Sequence, residues 1–544
     1  MSSIYFSMLK RLLFVVFVGL GLTIARITYA AGLEVPKLIV SQDRETIALT
    51  WDPVPSAIKY EFYYAPFPSL SPISKLDLDD LTRIEAKFSD TEAYIVALAA
   101  YDVNEKVVFS NTPILQRNLK ASGGETSLDV ATSNAFALPA PNLSEDENLF
   151  HIEGDKAFDA VFVTAPSSVN SGLGPIFNHN SCASCHPKNG RDVGPDAGDV
   201  ADTMLFRVSL PGAHKITGAP IGVPGFGLQI ATKANFGIQP EATVTVSYNE
   251  SKIILDSGIE VQLREPSFSI DSYIDLPGDS LFSARVGPPV FGRGLLEAIT
   301  ENSILALVDE YDSDSDGISG RPNYVWDHEK QKTVLGRFGL KANNPDLRLQ
   351  TADAYHQDMG VTNSIFTSDT AFSQVQDDGL GDDPELDEDT FNAAVFYVQS
   401  LAVPERRNVN DPEVQLGELV FAKAKCAVCH TPTFKTGKSE ISDSLSNQVI
   451  HPWSDMLLHD MGPGLADNRP DFMANGREWR TSPLWGIGLT RLVNGHNTFL
   501  HDGRARTILE AIMWHGGEAQ ASRDYVFSTN ENEVEALLKF LNSL

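Results

Sequence analysis

Every cysteine of the chain lies in one of two pentapeptides, Cys182-Ala-Ser-Cys185-His186 and Cys426-Ala-Val-Cys429-His430. Two thiols at this spacing reach the two vinyl groups of one porphyrin, and the adjacent histidine turns under the iron as proximal ligand. The spacing therefore predicts two covalently attached haem c groups on Cys182, Cys185, Cys426 and Cys429, with His186 and His430 on the irons. A zinc site would have to join pairs about 240 residues apart and would leave both histidines without a role. A redox dithiol needs a βαβ setting that neither pentapeptide has.

The rest of the chain must place these two sites outside the cytoplasm. Lys10 and Arg11 precede an apolar run over residues 12–22, and Thr28-Tyr29-Ala30 offers small residues for cleavage. Residues 1–30 read as an export signal cut after Ala30, which predicts a periplasmic protein. An uncleaved anchor is the alternative, but the run is short for a span and Arg26 interrupts its end. No later stretch is long and apolar enough to cross a bilayer. A net charge of −30 excludes nucleic acid and anionic lipid as partners and favours a cationic one, although solubility alone explains such a surface.

At 544 residues, 42% apolar and 21% charged, the chain is globular and multidomain. Residues 33–118 read as all-β, with β-prone runs at 37–40, 46–51, 58–64 and 94–101 bounded by turn residues. They resemble a fibronectin type III sandwich, with Trp51 and Tyr60 on the inner face and Tyr94 near the corner. Such a module would space or dock. Residues 119–147, rich in Ser, Ala, Asn and Pro, read as a linker. Two mainly α, cytochrome c-like domains are expected to follow, at 148–400 and 401–544. In both, a phenylalanine (Phe177, Phe421) lies five residues before the first cysteine. Residues 243–246 and 253–263 look like strands of a β-rich insertion, and 295–308 and 391–401 look helical. The chain ends in a helix capped by Asn530, with Glu533 three residues on and Val534, Leu537, Leu538 and Leu541 on one face.

Longer stretches match a family. They are Gly174-Pro-Ile-Phe-Asn178, Gly294-Leu-Leu-Glu-Ala-Ile299, Asp316-Gly-Ile-Ser-Gly-Arg321 and Gly336-Arg-Phe-Gly-Leu-Lys-Ala342, then Leu458-His-Asp-Met-Gly462, Trp479-Arg-Thr-Ser-Pro-Leu-Trp-Gly486, Leu500-His-Asp-Gly-Arg-Ala505 and Trp514-His-Gly-Gly-Glu-Ala519. With these, the chain from about residue 149 resembles the di-haem oxidoreductases, also described as thiol oxidoreductases, relatives of bacterial dihaem cytochrome c peroxidases. The resemblance implies that the C-terminal haem collects electrons from a small redox protein and the N-terminal haem meets peroxide. In those relatives the C-terminal iron takes a Met beyond a His-Asp-Gly motif and a short helix. Here His501-Asp502-Gly503 leads to His515 at that position, so this sequence departs from the peroxidase pattern. Thr507 can cap the intervening helix with Glu510 closing a capping box, and Ile508, Ile512 and His515 share a face. Met461 is the alternative ligand and would restore His/Met coordination.

A peroxidatic iron needs an open sixth position and an acid–base group nearby. The resemblance points to Glu297, after the Pro288-Pro289 loop; His214 and His356 match no motif. Asp312-Ser-Asp314-Ser-Asp316-Gly317 offers alternate oxygen ligands and a turn glycine for Ca2+, but Asn323 stands where a full EF-hand loop has Glu. Three functions share these features: a peroxidase-like enzyme acting on peroxide or another small molecule, an electron-transfer cytochrome without a substrate site, and an oxygenase or maturation-type enzyme.

Overall fold

The computed structural model describes residues 33–42, 46–87, 92–116, 119–381 and 383–544. The expected export signal lies outside the described residues, among which no helix is long and apolar enough to cross a membrane. By compactness, the chain up to Leu119 groups with Asn408–Lys423, and Lys120–Arg407 groups with Ala424–Leu544. Both cysteine motifs belong to the second unit.

The N-terminal region is β-rich. Strands β1 (Ile39–Gln42), β2 (Thr46–Thr50) and β5 (Arg83–Lys87) form an antiparallel sheet in the order β1-β2-β5. Strands β3 (Lys59–Pro66), β4 (Ser74–Asp79), β6 (Ala93–Tyr101) and β7 (Val107–Phe109) form a second, ordered β4-β3-β6-β7, with β8 (Ile114–Gln116) also on β6. Alternate residues of the two sheets meet in one core holding Leu49, Trp51, Tyr60, Phe62, Val96 and Leu98. Trp51 and Tyr60 lie inside it edge to face, centroids 5.7 Å apart, as the alternation predicts. Each fully buried large apolar side chain contributes roughly 1.5–3 kcal/mol.

The remainder is mixed α/β where helical domains were expected. Its longer helices are Glu145–Asp159, Leu347–Met359, Glu388–Ser400 and Glu531–Ser543. Asn530 caps the last, accepting from the Glu533 amide at 3.1 Å. Between them, short strand pairs brace long loops. Met204–Ala213 and Leu281–Val286 pair within one sheet, and Ala242–Ile254 with Glu260–Ser272 form a long two-stranded ribbon. The expected helix at 295–308 is two short ones, Arg293–Glu297 and Glu301–Leu305, because Thr300 starts afresh by capping Ser303. Residues 119–147 are no free linker: Ala135 and Phe136 enter the main core, and Phe136 stacks on Phe291 at 4.2 Å. Nor do the segments leading into the two motifs share a local fold. Phe177 sits in the strand Ile176–Phe177, whereas Phe421 sits in the helix Pro412–Lys423. Gly174 explains the first arrangement, since its backbone meets that of Gly360 too closely for a side chain.

Candidate functional site

Each Cys-x-x-Cys is a single helical turn closed by its histidine. At the first, Ser181 caps the turn Cys182–Cys185 and the His186 amide donates to the Cys182 carbonyl at 2.9 Å. At the second, Lys425 enters with φ 61° and the His430 amide donates to Cys426 at 2.9 Å. The i, i+3 spacing within one turn puts both thiols of a pair on one side of it. All four cysteines are unpaired thiols. Burial pushes Cys182 and Cys426 up to about 12 and raises Cys185 and Cys429 as well. Among the described residues, no group of three or more candidate metal ligands contains two cysteines.

The donor set fits haem c. His430 Nδ1 donates to the Trp453 carbonyl at 2.9 Å, which fixes the tautomer and leaves Nε2 as the lone-pair nitrogen. Burial pushes this imidazole down to about 4, and the Trp453 carbonyl only partly opposes it, so it stays neutral as a ligand must. Burial likewise takes His186 to about 4, opposed by the backbone of Pro288 and Gly190. Its Nδ1 is buried with no partner of hydrogen-bond geometry. Gly287 cradles this ring: a Cβ there would lie 2.7 Å from the Cys185 carbonyl and 3.2 Å from His186 Cε1.

His515, the expected second ligand of the C-terminal site, lies just past a short helix. Helix Ile508–Trp514 starts at Thr507, whose hydroxyl accepts from the Glu510 amide at 3.0 Å. The expected capping box does not close, because Glu510 reaches back to the Arg506 amide instead. His515 follows the helix as its cap residue and donates Nδ1 to the Ala511 carbonyl at 2.8 Å, which leaves Nε2 as its acceptor. The His515 imidazole acts electrostatically on His430. The helix is held from outside by Arg504, which forks onto Asp502 and lies over the Trp514 ring at 4.6 Å.

The second cysteine of each motif has a His–Asp neighbourhood that the spacing did not reveal. At Cys429, His459 Nδ1 lies 3.5 Å from the sulfur and 2.7 Å from Glu518, and Nε2 lies 2.8 Å from Asp455. Burial works against its charge, but Asp455 and Cys429 raise this imidazole well above its usual range. At Cys185, ligand atoms of His179, Cys185 and Asp192 fall within 4.8 Å of one another. Here His179 Nε2 and Asp192 Oδ2 are buried without partners. Burial takes His179 down to about 4 and Asp192 up to about 7. His179 also acts on His186. The signal for both was adjacency to motifs: His179 follows Asn178, and His459 sits inside Leu458-His-Asp-Met-Gly462.

Other expected residues lie elsewhere. Glu297 accepts from the Leu347 amide and from Gln399 Nε2, both at 2.8 Å, so both carboxyl oxygens are engaged in tying three helices. Burial pushes it up to about 7, a value suited to acid–base work. The Met461 carbonyl approaches Gly516, one residue past His515. Asp312 and Asp314 converge with Asp309, while Asp316 turns to the Ile318 amide and Lys425. His214 is exposed and bonded to Thr217. His356 is engaged by the Ser368 carbonyl and Gln357.

No curated protein matches. Among solved structures, the FN3 domain of human collagen XX is similar at 18% identity, covering 17% of this chain and 98% of that one, with a TM-score of 0.15. The FN5 domain of Drosophila Lar matches at 16% identity, covering 15% of this chain and 90% of that one, TM-score 0.13. Pectate lyase PelI of Erwinia chrysanthemi matches at 17% identity, covering 16% of this chain and 30% of that one, TM-score 0.13. The family model described as "Di-haem oxidoreductase, putative peroxidase" matches residues 117–544, most of the chain and both cysteine motifs, and the chain belongs to this family.

Proposed function

We propose that this di-haem oxidoreductase is an exported, peroxidase-like enzyme built from two haem c-bearing halves, 148–400 and 401–544. Electrons from a small redox protein enter on the His430 side, and peroxide is reduced on the His186 side. Cys182, Cys185, Cys426 and Cys429 would hold two haem c groups, whose iron supplies the one-electron chemistry. His186 and His430 would be the proximal ligands and His515 the second ligand at the C-terminal site. Met461 is the alternative there, and a Ca2+ at the Asp312 loop would brace the structure.

The observation that carries this reading is the unequal use of polar groups. Around His430 the imidazoles are committed: His430 to Trp453, His515 to Ala511, His459 to two carboxylates. Around His186, His179 Nε2, His186 Nδ1, Asn189 Oδ1, Arg191 Nε and Asp192 Oδ2 are all buried without partners. Hydrogen-bonding capacity left over inside a protein costs stability and marks places where water or a reacting molecule is bound. Such capacity suits the side that handles peroxide oxygens and their protons.

One observation favours a second reading, that of an electron-transfer cytochrome. The His179 imidazole is near enough to act on His186, and a second histidine on each iron would close both. The test is to record ferric and half-reduced spectra of the purified protein and then add peroxide or cyanide. The enzyme reading expects one centre to respond in the half-reduced state. Two low-spin centres indifferent to both reagents in both states would sink it. At the C-terminal site, His515→Met should raise that haem's potential; an unchanged potential and spectrum removes His515 as ligand.

A further inference from the structure

Two tyrosines, Tyr355 and Tyr397, are buried near the first cysteine motif, each 1% exposed. Their hydroxyls are treated differently. Tyr355 lies in the apolar cluster against which Cys182 packs, and its hydroxyl is buried without a hydrogen-bond partner. Tyr397, on the helix Glu388–Ser400, has its hydroxyl engaged. Asn189 Nδ2 donates to it at 2.8 Å, and the Asn189 amide donates in turn to the His186 carbonyl at 2.9 Å. The exposed Asp155 carboxylate bears on the same hydroxyl. Burial raises this phenol above its usual range; Asn189 opposes the rise and the Asp155 charge adds to it. Gly154 explains the neighbourhood. A side chain there would run into the Ala393 carbonyl and stand 2.7 Å from Tyr397 Cβ. The helices Glu145–Asp159 and Glu388–Ser400 therefore cross closely at this glycine, and Asp155 arrives beside the phenol.

The Tyr397 ring is also linked to His186. Phe158 lies 5.1 Å from Tyr397 and 6.4 Å from His186, centroid to centroid, tilted at 46° and 41°. These are ordinary aromatic contacts, and they make an unbroken run of rings from the phenol to the imidazole. Removing an electron from a phenol makes its O–H strongly acidic. A buried tyrosine is therefore oxidised readily only where a base can take the proton. Tyr397 has that base in Asp155, which opens to water. Tyr355 has no hydrogen-bonded acceptor among the described residues.

We propose that Tyr397 is a redox-active side chain that gives one electron to peroxide reduction at the His186 site, with Asp155 taking its proton. The inference rests on the peroxide-reducing reading of that site. Reduction breaks the O–O bond of peroxide and takes up two electrons and two protons to give two waters. A half-reduced haem pair holds one electron. The other comes from Tyr397 by way of Phe158. The phenolic O–H bond breaks, the proton passes to Asp155, and a neutral tyrosyl radical remains. One electron from the redox-protein donor, with the returning proton, restores the phenol.

The test mixes the half-reduced, haem-loaded protein with one equivalent of hydrogen peroxide, freezes it and records the electron paramagnetic resonance spectrum. Wild type should show an organic radical whose signal narrows when the chain is made with ring-deuterated tyrosine. Tyr397→Phe should lose that signal, and Tyr355→Phe should keep it. Should Tyr397→Phe fail to load haem, Asp155→Asn decides, because that side chain is exposed. A radical yield lowered several-fold supports the proposal, and an unchanged yield overturns it. A haem spectrum altered by peroxide with no tyrosine radical, or a signal retained in Tyr397→Phe, overturns the proposal and leaves the enzyme reading standing. Haem spectra indifferent to peroxide in every redox state remove the enzyme reading, and this role of Tyr397 with it.

Discussion

At the first cysteine motif the His186 Nδ1 is buried without a bonded partner, and a glycine backbone supports its ring. At the second, His430 donates to a carbonyl supplied by Trp453, a fully buried side chain whose own backbone is held at φ 57°. The same contrast recurs one shell out. Asp455, His459 and Glu518 form a closed chain against Cys429, whereas His179 and Asp192 approach Cys185 without closing on each other. Two pentapeptides that differ only at Ser184 and Val428 are thus set in opposite surroundings. Each turn presents two thiols and an imidazole, and distant segments decide how much polar capacity remains around them.

The largest test of this contrast removes one site at a time. A Cys182→Ser, Cys185→Ser double variant should retain one covalent haem and lose the peroxide response. The Cys426→Ser, Cys429→Ser variant should retain the other and lose the feature sensitive to His515. Haem counted on the denatured chain and the ferric spectrum read this out; two haems retained by either variant would break the assignment. Next come the carboxylates. Asp455→Asn leaves His459 half-paired in the interior and should cost ~3–5 kcal/mol in denaturant unfolding, the range for breaking a buried pair. Asp192→Asn, which removes a carboxyl already pushed toward neutrality, should cost far less. Equal losses would mean that the two neighbourhoods do not differ as drawn.

The pH dependence should separate the same two residues. Asp192 is an acid whose folded-state pKa is raised by burial from 3.8 to about 7. The folded chain therefore holds a proton that the unfolded chain releases, and stability falls as pH rises from about 4 to about 7, by at most ~4 kcal/mol. His459 is a base raised above 6.5. Its contribution is fully present below 6.5 and is lost only as pH rises through its folded value. Unfolding followed from pH 4 to 9 should show an acid-side slope that Asp192→Asn removes and an alkaline slope that His459→Gln removes.

The parts legible in the sequence were those in which local chemistry dictates local structure. The Cys-x-x-Cys turns, the Thr507 and Asn530 caps and the alternation in β3 and β6 are of this kind. What escaped was assembled from afar. Asp192 meets Cys185 because its amide bonds to Gly287, and Glu518 meets His459 across a chain separation of 59 residues. Arg506 takes the glutamate that a capping box would have used, and Asp309 takes the place expected of Asp316. In each case a pattern that was correct as local chemistry lost to a partner that only the folded chain brings near.

The smallest expected effect is confined to the first site and asks whether its looseness lies in the polar groups or in the backbone. A Cβ on Gly287 would stand 2.7 Å from the Cys185 carbonyl and 3.2 Å from His186 Cε1, contacts that require a shift of backbone or ring. Overpacking of this kind costs ~1–3 kcal/mol. Because the glycine does not have a positive φ, the cost of Gly287→Ala is steric and falls on the Cys185 carbonyl first and the His186 ring second. The variant should lower the unfolding midpoint slightly and alter the N-terminal haem spectrum while leaving the C-terminal one as it was. A change in stability without a spectral change would mean that the cradle yields at the Cys185 carbonyl and that His186 is fixed by something other than Gly287. The tighter partner would then be the backbone of Pro288, and the two histidines would be held more alike than their hydrogen bonds suggest.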